Sequence, residues 1–331
     1  MAAIPLLTGV PTRVNYTPAE LDLLSSGGMP IVPKYGGKVY FVDYSVAASG
    51  DGSYRNPLKT LAEAHALMTA DRDDVCYLLG GNSPTTYAQR LSATLTWSKN
   101  RCHLIGMNVY NRVAQRVSIR VLSGASVFTP FVSVTASGCL FANFHTFSGI
   151  ADNSAQVNWI DTGSRNRYHQ VHLGGGGNQT AADHAGCRDL VLTGGGEHLF
   201  TECTFGLDTV DRAGASANLE LTGGHPRTTF ENCDFILRAD ATSPRHLLIG
   251  SGGIDRYLKL VGCRLMNAGT YTGGSTLTEA MTVHASAGGV VIFDHSHASG
   301  MTKLENTASG RVLVPHSLAA ATSGFFIANT G

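Results

Sequence analysis

Phe200-Thr201-Glu202-Cys203-Thr204-Phe205, Phe230-Glu231-Asn232-Cys233-Asp234-Phe235 and Leu260-Val261-Gly262-Cys263-Arg264-Leu265 set out one pattern three times, apolar-x-x-Cys-x-apolar. The cysteines step by 30 residues twice (233 − 203 and 263 − 233), which marks a structural repeat. Looser copies run back through Val171 and Phe144 and forward through His295, within strands read at 168–173 and 290–297. Each repeat holds a second short apolar strand upstream: Leu190 to Leu192, Leu219 to Leu221, Leu247 to Ile249 and Met281 to Val283. Between them lie Gly194-Gly195-Gly196, Gly223-Gly224 and Gly252-Gly253, turn-formers that tolerate positive φ. Short strands, regular turns and no helical period predict a parallel β-solenoid in which each strand pairs with its equivalent one coil away. Residues at the same place in successive coils stack about 4.8 Å apart. Cys203, Cys233 and Cys263 are therefore predicted to form an inward ladder of packing thiols. Three thiols in file on one strand face cannot complete a tetrahedral metal site.

Composition agrees with such a fold. The chain has 331 residues, 43% of them hydrophobic, enough for a substantial core. Charged residues are only 15% and glycines number 39, against the balance of a helical or coiled-coil protein. Twenty-four basic side chains offset 24 acidic ones, so no global field gathers nucleic acid or an anionic membrane, and neither is expected as a partner. No apolar run approaches the roughly 20 residues a membrane span needs. The start, MAAIPLLTGVPTRVNYTP, lacks a basic opening and is broken by Pro5 and Gly9, so no signal peptide is read. Seven cysteines without CxxC spacing read as buried thiols, which favours assembly in a reducing cytoplasm.

The front end has a different signature. A strand at 38–43 leads into Ser49-Gly50-Asp51-Gly52-Ser53 and then Asn56-Pro57-Leu58-Lys59-Thr60-Leu61-Ala62-Glu63-Ala64. Asn56 suits an N-cap and Pro57 the first turn; Leu58, Leu61, Ala62 and Met68 share a face, predicting a helix over about 57–70. A Gly80-Gly81 turn, Tyr87 and a strand ending Leu104-Ile105-Gly106 follow. This order resembles the N-terminal cap and first coil of the pectate-lyase-like right-handed β-helices, and the later Phe-x-x-Cys-x-Phe coils are similar. The resemblance spans roughly 38–310. It implies an all-β, right-handed parallel β-helix with an N-terminal capping helix; the ends at 1–37 and 311–331 fall outside the repeat and are read as extended terminal arms. The superfamily includes pectate lyases, pectin methylesterases, polygalacturonases and many bacteriophage tailspikes and virion proteins, and fold alone does not choose among them.

Chemistry has to choose. Cys233-Asp234-Phe235-Ile236-Leu237 resembles the Asp-Phe-Ile-Phe-Gly segment of pectin methylesterases, but Leu237 and Arg238 replace Phe-Gly. Flanked by two inward residues, Asp234 is predicted to point out of the coil. Glycosidases need paired carboxylates roughly 5 to 9.5 Å apart. Asp208, Asp211 and Asp240 are the candidates, since Asp211 and Asp240 follow equivalent strands on consecutive coils (240 − 211 = 29). No Asp run resembles a calcium repeat, and Gly174 to Gly177 lacks the Lys-Ser/Thr of a phosphate loop. His295 and His297, read on one face of one strand, resemble the His-x-His that holds a metal on the axis of trimeric phage spikes; a stacked or surface pair is the plainer reading. His169 and His172 fall on opposite faces.

With no motif-grade active site, the expectation is a non-enzymatic bacteriophage virion protein without cofactors, a capsid decoration or other head-attached component, assembled in the host cytoplasm as a homotrimer. The alternative is a tailspike-type polysaccharide depolymerase or an adhesin that binds surface glycan. The first 36 residues carry five prolines and the apolar Ile4, Leu6, Leu7 and Leu23, so this arm is expected to dock on capsid or other virion proteins.

Overall fold

A computed structural model describes residues 37–80, 88–115, 117–306 and 310–315. The chain winds as a right-handed parallel β-helix. Each coil contributes a strand to three sheets in turn. The first sheet runs in chain order from Val39–Val42 through Val75–Leu79, His103–Met107, Leu140–Ala142, Arg167–His169, Leu199–Thr201, Thr228–Glu231, Tyr257–Val261 and Val290–Asp294 to Val312–Leu313. The second starts at Gln89–Leu91 and ends at His297–Ser299; the third starts at Leu95–Trp97 and ends at Met301–Glu305. All pairings between these strands are parallel, so every coil hydrogen-bonds to the next and buries its apolar side against it.

The inward columns follow the repeat. Leu190, Leu219, Leu247 and Met281 stand in register in the third sheet, as do Leu192, Leu221, Ile249 and Val283. In the first sheet Phe141, Tyr168, Phe200 and Phe230 stack with ring centroids 4.9, 4.5 and 4.4 Å apart, one ring per coil. Thr204 pairs with Asp234 and Asp234 with Arg264, which sets Cys203, Cys233 and Cys263 one above another, all buried. Phe144 and Val171 extend that column backward. Forward, the next member is Ser296 and not His295, because Arg264 pairs with His297.

The stretches 168–173 and 290–297, read as single strands, are each two strands joined by one left-handed residue. That residue is Asn143, Gln170, Glu202, Asn232, Gly262 or His295, with φ from 46 to 62°. The corner accounts for the repeat's spacing. In a straight strand Phe200 and Cys203 would lie on opposite faces, but the turn at Glu202 brings both inward.

At the N-terminal end a helix packs against the strands Val39–Val42, Val75–Leu79 and Leu95–Trp97. It covers Leu61–Leu67, shorter than 57–70, and its N-cap is Thr60, which forms a capping box with Glu63. Asn56 instead bridges Ser53, and Leu58 bridges Val42, so the chain before Thr60 is extended. Ala64 faces the core in place of Ala62, which is exposed. Among the described residues no helix is long and apolar enough to cross a membrane. The arm residues Ile4, Leu6, Leu7 and Leu23, most of 311–331, and Gly81 and Tyr87 lie outside the described residues.

Candidate functional site

Long excursions leave the coil between the second and third sheets, as at 175–187, and a buried polar relay ties them to it. Asn158, Asp189, Asn218 and His246 occupy one column at the start of the third-sheet strands, immediately before the inward Trp159, Leu190, Leu219 and Leu247. Arg212 reaches this column from the loop after the second sheet. Its Nη2 donates to Asp189 Oδ1 at 2.7 Å and Oδ2 at 2.9 Å. Asn218 Nδ2 donates to Asp189 Oδ2 at 2.6 Å and to the Ile236 carbonyl at 3.0 Å, and His246 Nδ1 lies 2.7 Å from Asn218 Oδ1. Burial raises the Asp189 pKa against the opposing pull of Arg212. Gly175 and Gly206 make room: a Cβ at Gly175 would sit 2.6 Å from Asp189 Oδ1, and one at Gly206 2.2 Å from Asn218 Nδ2. Asp189, Asn218 and His246 are fully buried and Arg212 is 1% exposed, so no substrate reaches them. The relay locks the loops to the coil.

The carboxylates singled out in the sequence flank this relay. Asp208 and Asp240 are exposed. Asp211 stands opposite Arg238 in a short parallel pair, not opposite Asp240, and its carboxylate is ion-paired to Arg238 at 3.1 Å. Asp240 follows one position beyond the Arg212–Ala239 pair, on the diagonal from Asp211, with its amide donating to the Arg212 carbonyl. Arg238 fills the place that a second carboxylate would need for a direct in-register pair.

Asp234 leaves the coil on the outward side of the second sheet, but it does not meet solvent. Residues 107–115 cross over that side as a strap. Arg112 Nη1 donates to Asp234 Oδ2 at 2.6 Å, while Arg264 from the next coil clamps the same carboxylate through two bonds of 2.6 Å. Tyr110 donates to the Glu202 carbonyl and the Ala114 amide to His172 Nδ1. Asp234 is left 4% exposed.

His295 and His297 do not share a strand. His295 is the left-handed corner residue, with Nδ1 2.7 Å from Asp294 Oδ1, and His297 opens the next strand in the second sheet. His169 and His172 are divided in the same way by Gln170. No group of three or more metal-ligating side chains occurs among the described residues.

Elsewhere, among the described residues, six histidines are buried, His103, His145, His172, His198, His225 and His246. His145 stacks on His172 with centroids 4.4 Å apart beneath the strap. Burial lowers eight described histidines below their ordinary value near 6.5, His172 to about 4 and His225 and His246 to about 3. Because the folded pKa values are depressed, the unfolded chain takes up these protons first. The stability they carry is full above about 6.5 and drains as pH falls toward 4 and 3; Asp189, raised, works in the opposite sense. The thermal midpoint is expected to fall steadily between about pH 7 and pH 4, and calorimetry showing no change over that window would contradict the assignment of these histidines.

On the outward face of the third sheet Ile160, Val191, Glu220, Leu248 and Thr282 align across five coils. Glu220 is ion-paired to Arg188 at 2.7 Å and Glu279 to Arg245 at 3.5 Å. Across the described pairings of the three sheets no carboxylate stands directly opposite another.

No protein-family model matches the sequence, and no curated protein matches it. Solved structures do resemble the fold. Pectate lyase Pel9A superposes at a TM-score of 0.56 with 12% identity, over 81% of this chain and 64% of that one. The pectin methylesterase from Aspergillus niger gives 0.54 with 15% identity, over 86% and 83%. ORF18 of Geobacillus virus E2 gives 0.49 with 12% identity, over 88% and 54%, too weak to bear on function. The first two likenesses, to the pectate lyase and the pectin methylesterase, show a shared parallel β-helix fold and the fold alone.

Proposed function

We propose that this chain is a non-enzymatic structural protein of a bacteriophage virion, a capsid decoration or other head-attached component that acts as a homotrimer. The observation that carries the reading is the engagement of the carboxylates. Asp234, Asp189, Asp211, Glu220 and Glu279 are each held by an arginine. A retaining glycosidase needs two carboxyl groups about 5 Å apart, which on a solenoid means an in-register pair on adjacent coils. The seven cysteines, all free and buried in the structure, suit a scaffold assembled under reducing conditions.

A depolymerase is the second reading, favoured by one feature: exposed Asp240 lies on the diagonal from Asp211 one coil away, and inverting enzymes work with two carboxyl groups roughly 6.5 to 9.5 Å apart. The experiment that separates the two is incubation of the purified protein with pectin and with bacterial surface polysaccharides. No release of oligosaccharide is expected, and Asp211→Asn and Asp240→Asn are expected to behave as the parent. Release that either substitution abolishes would establish the depolymerase.

A further inference from the structure

The strap at 107–115 is held over the second sheet by hydrogen bonds and the Arg112–Asp234 ion pair rather than by apolar packing. Its apolar side chains face away: Met107 is 38%, Val109 90% and Val113 39% exposed. At its far end the Ala114 amide donates to His172 Nδ1 at 3.0 Å and Gln115 Nε2 to the Gln170 carbonyl at 2.6 Å. Ala114 stands there at φ 51°, a left-handed conformation that alanine adopts only at a cost. Beneath the strap one in-register column runs Ser118, His145, His172, Thr204 and Asp234, all buried. Neither ring nitrogen of His145 has a hydrogen-bond partner among the described residues, nor has Thr204 Oγ1.

The His172 ring sets a condition on the far end. Its Nε2 lies 2.8 Å from the Gly206 carbonyl, which only accepts, so Nε2 carries the proton and Nδ1 offers the lone pair that Ala114 needs. A second proton would sit on Nδ1 and point at the Ala114 N–H, turning a bond into a contact between two donors. We propose that residues 113–115 are a latch that acid releases, with His172 as its catch, and that release uncovers the His145–His172 part of the buried column while Tyr110 and Arg112 keep the rest of the strap in place. Burial lowers His172 to about 4 against the pull of the Gly206 carbonyl and Asp208, and it holds His145 well below 6.5 with His172 and Arg120 acting in the same direction. On the strap itself Arg112 is engaged by Asp234, which Arg264 also clamps. A closed ring that titrates near 4 and a released one near 6.5 keep the latch fully shut above about pH 6.5 and loosen it as pH falls toward 4. The inference does not depend on the virion reading.

Amide exchange followed by NMR in the full-length chain, corrected at each pH for the intrinsic rate, tests it. Protection at Ala114 is expected to fall about a hundredfold between pH 7 and pH 4, ahead of any loss at Leu219 in the third sheet. His172→Gln keeps an acceptor and a donor in a side chain that takes up no proton, and should hold the change under about threefold. Equal losses in parent and variant, no loss in the parent, or loss at Ala114 only in step with Leu219 would overturn the proposal. Nitrogen-15 shifts of the imidazoles in the unmodified chain give a reading that needs no variant. At pH 7 His172 is expected as the Nε2–H tautomer, and a proton found on Nδ1 would overturn the proposal as well.

Discussion

Cys233→Asp is expected to remove cooperative folding, with a loss of about 4–5 kcal/mol or more, a large share of the total stability of an ordinary domain. Cys233 is fully buried between Cys203 and Cys263, with Phe200, Phe230 and Phe235 among its core neighbours. Burial pushes its thiol pKa well up, which shows how strongly this column resists charge. A carboxylate there has no cationic partner and must either stay protonated or break the coil. The controls grade the effect. Cys233→Val should cost less than about 1.5 kcal/mol, since it conserves apolar character and Val171 already occupies the same column. Cys233→Ser should fall between, because Ser296 continues the column and its Oγ donates to the Asp294 carbonyl at 2.9 Å, as the Cys233 Sγ does to that of Glu231 at 3.4 Å. Urea unfolding monitored by circular dichroism measures the series, and tolerance of Asp equal to that of Val would refute the ladder.

Arg212→Met is expected to cost about 3–5 kcal/mol, because it leaves Asp189 buried without its cation. The informative companion is the double substitution Arg212→Met with Asp189→Asn. The introduced amide would keep an acceptor for Asn218 and carry no charge, so the double variant should recover most of the loss. A buried pair is costly to break and cheap to replace, and only a relay that is structural shows both behaviours. If Arg212→Met cost under about 1 kcal/mol, the loops between the second and third sheets would be anchored by something else.

How far the sequence discloses this molecule depends on which contacts repeat. The cysteine and leucine columns were legible because one coil occupies about 30 residues and each inward position recurs. The corner at Glu202, Asn232 and Gly262 was not, since Glu, Asn and Gly share no composition signal; only the spacing betrays it, because inward residues three apart cannot sit on a straight strand. For the same reason a straight reading of 290–297 sets His295 and His297 on one face, which the corner at His295 prevents. At the N-terminus Asn56-Pro57 imitates a helix start, but the capping box at Thr60 and Glu63 wins, and Leu58 gains more from pairing with Val42. The polar relay does carry a sequence signal: Asp189-Leu190, Asn218-Leu219 and His246-Leu247 set a polar residue before each apolar strand at intervals of 29 and 28 residues (218 − 189 and 246 − 218). Arg212 and Arg112 had none, because each reaches its carboxylate from a loop whose path no periodicity fixes.

The proposed role as a building part of a virus particle rests on Asp189, Asp211, Asp234, Glu220 and Glu279 each being held by an arginine. Mass spectrometry of density-gradient fractions from purified virus particles tests that most directly. The chain should band with the major shell protein at a fixed ratio, and a cross-linker should join it to that protein and to copies of itself. A chain that stays at the top of the gradient as free protein, with no cross-link to the shell, would contradict the account.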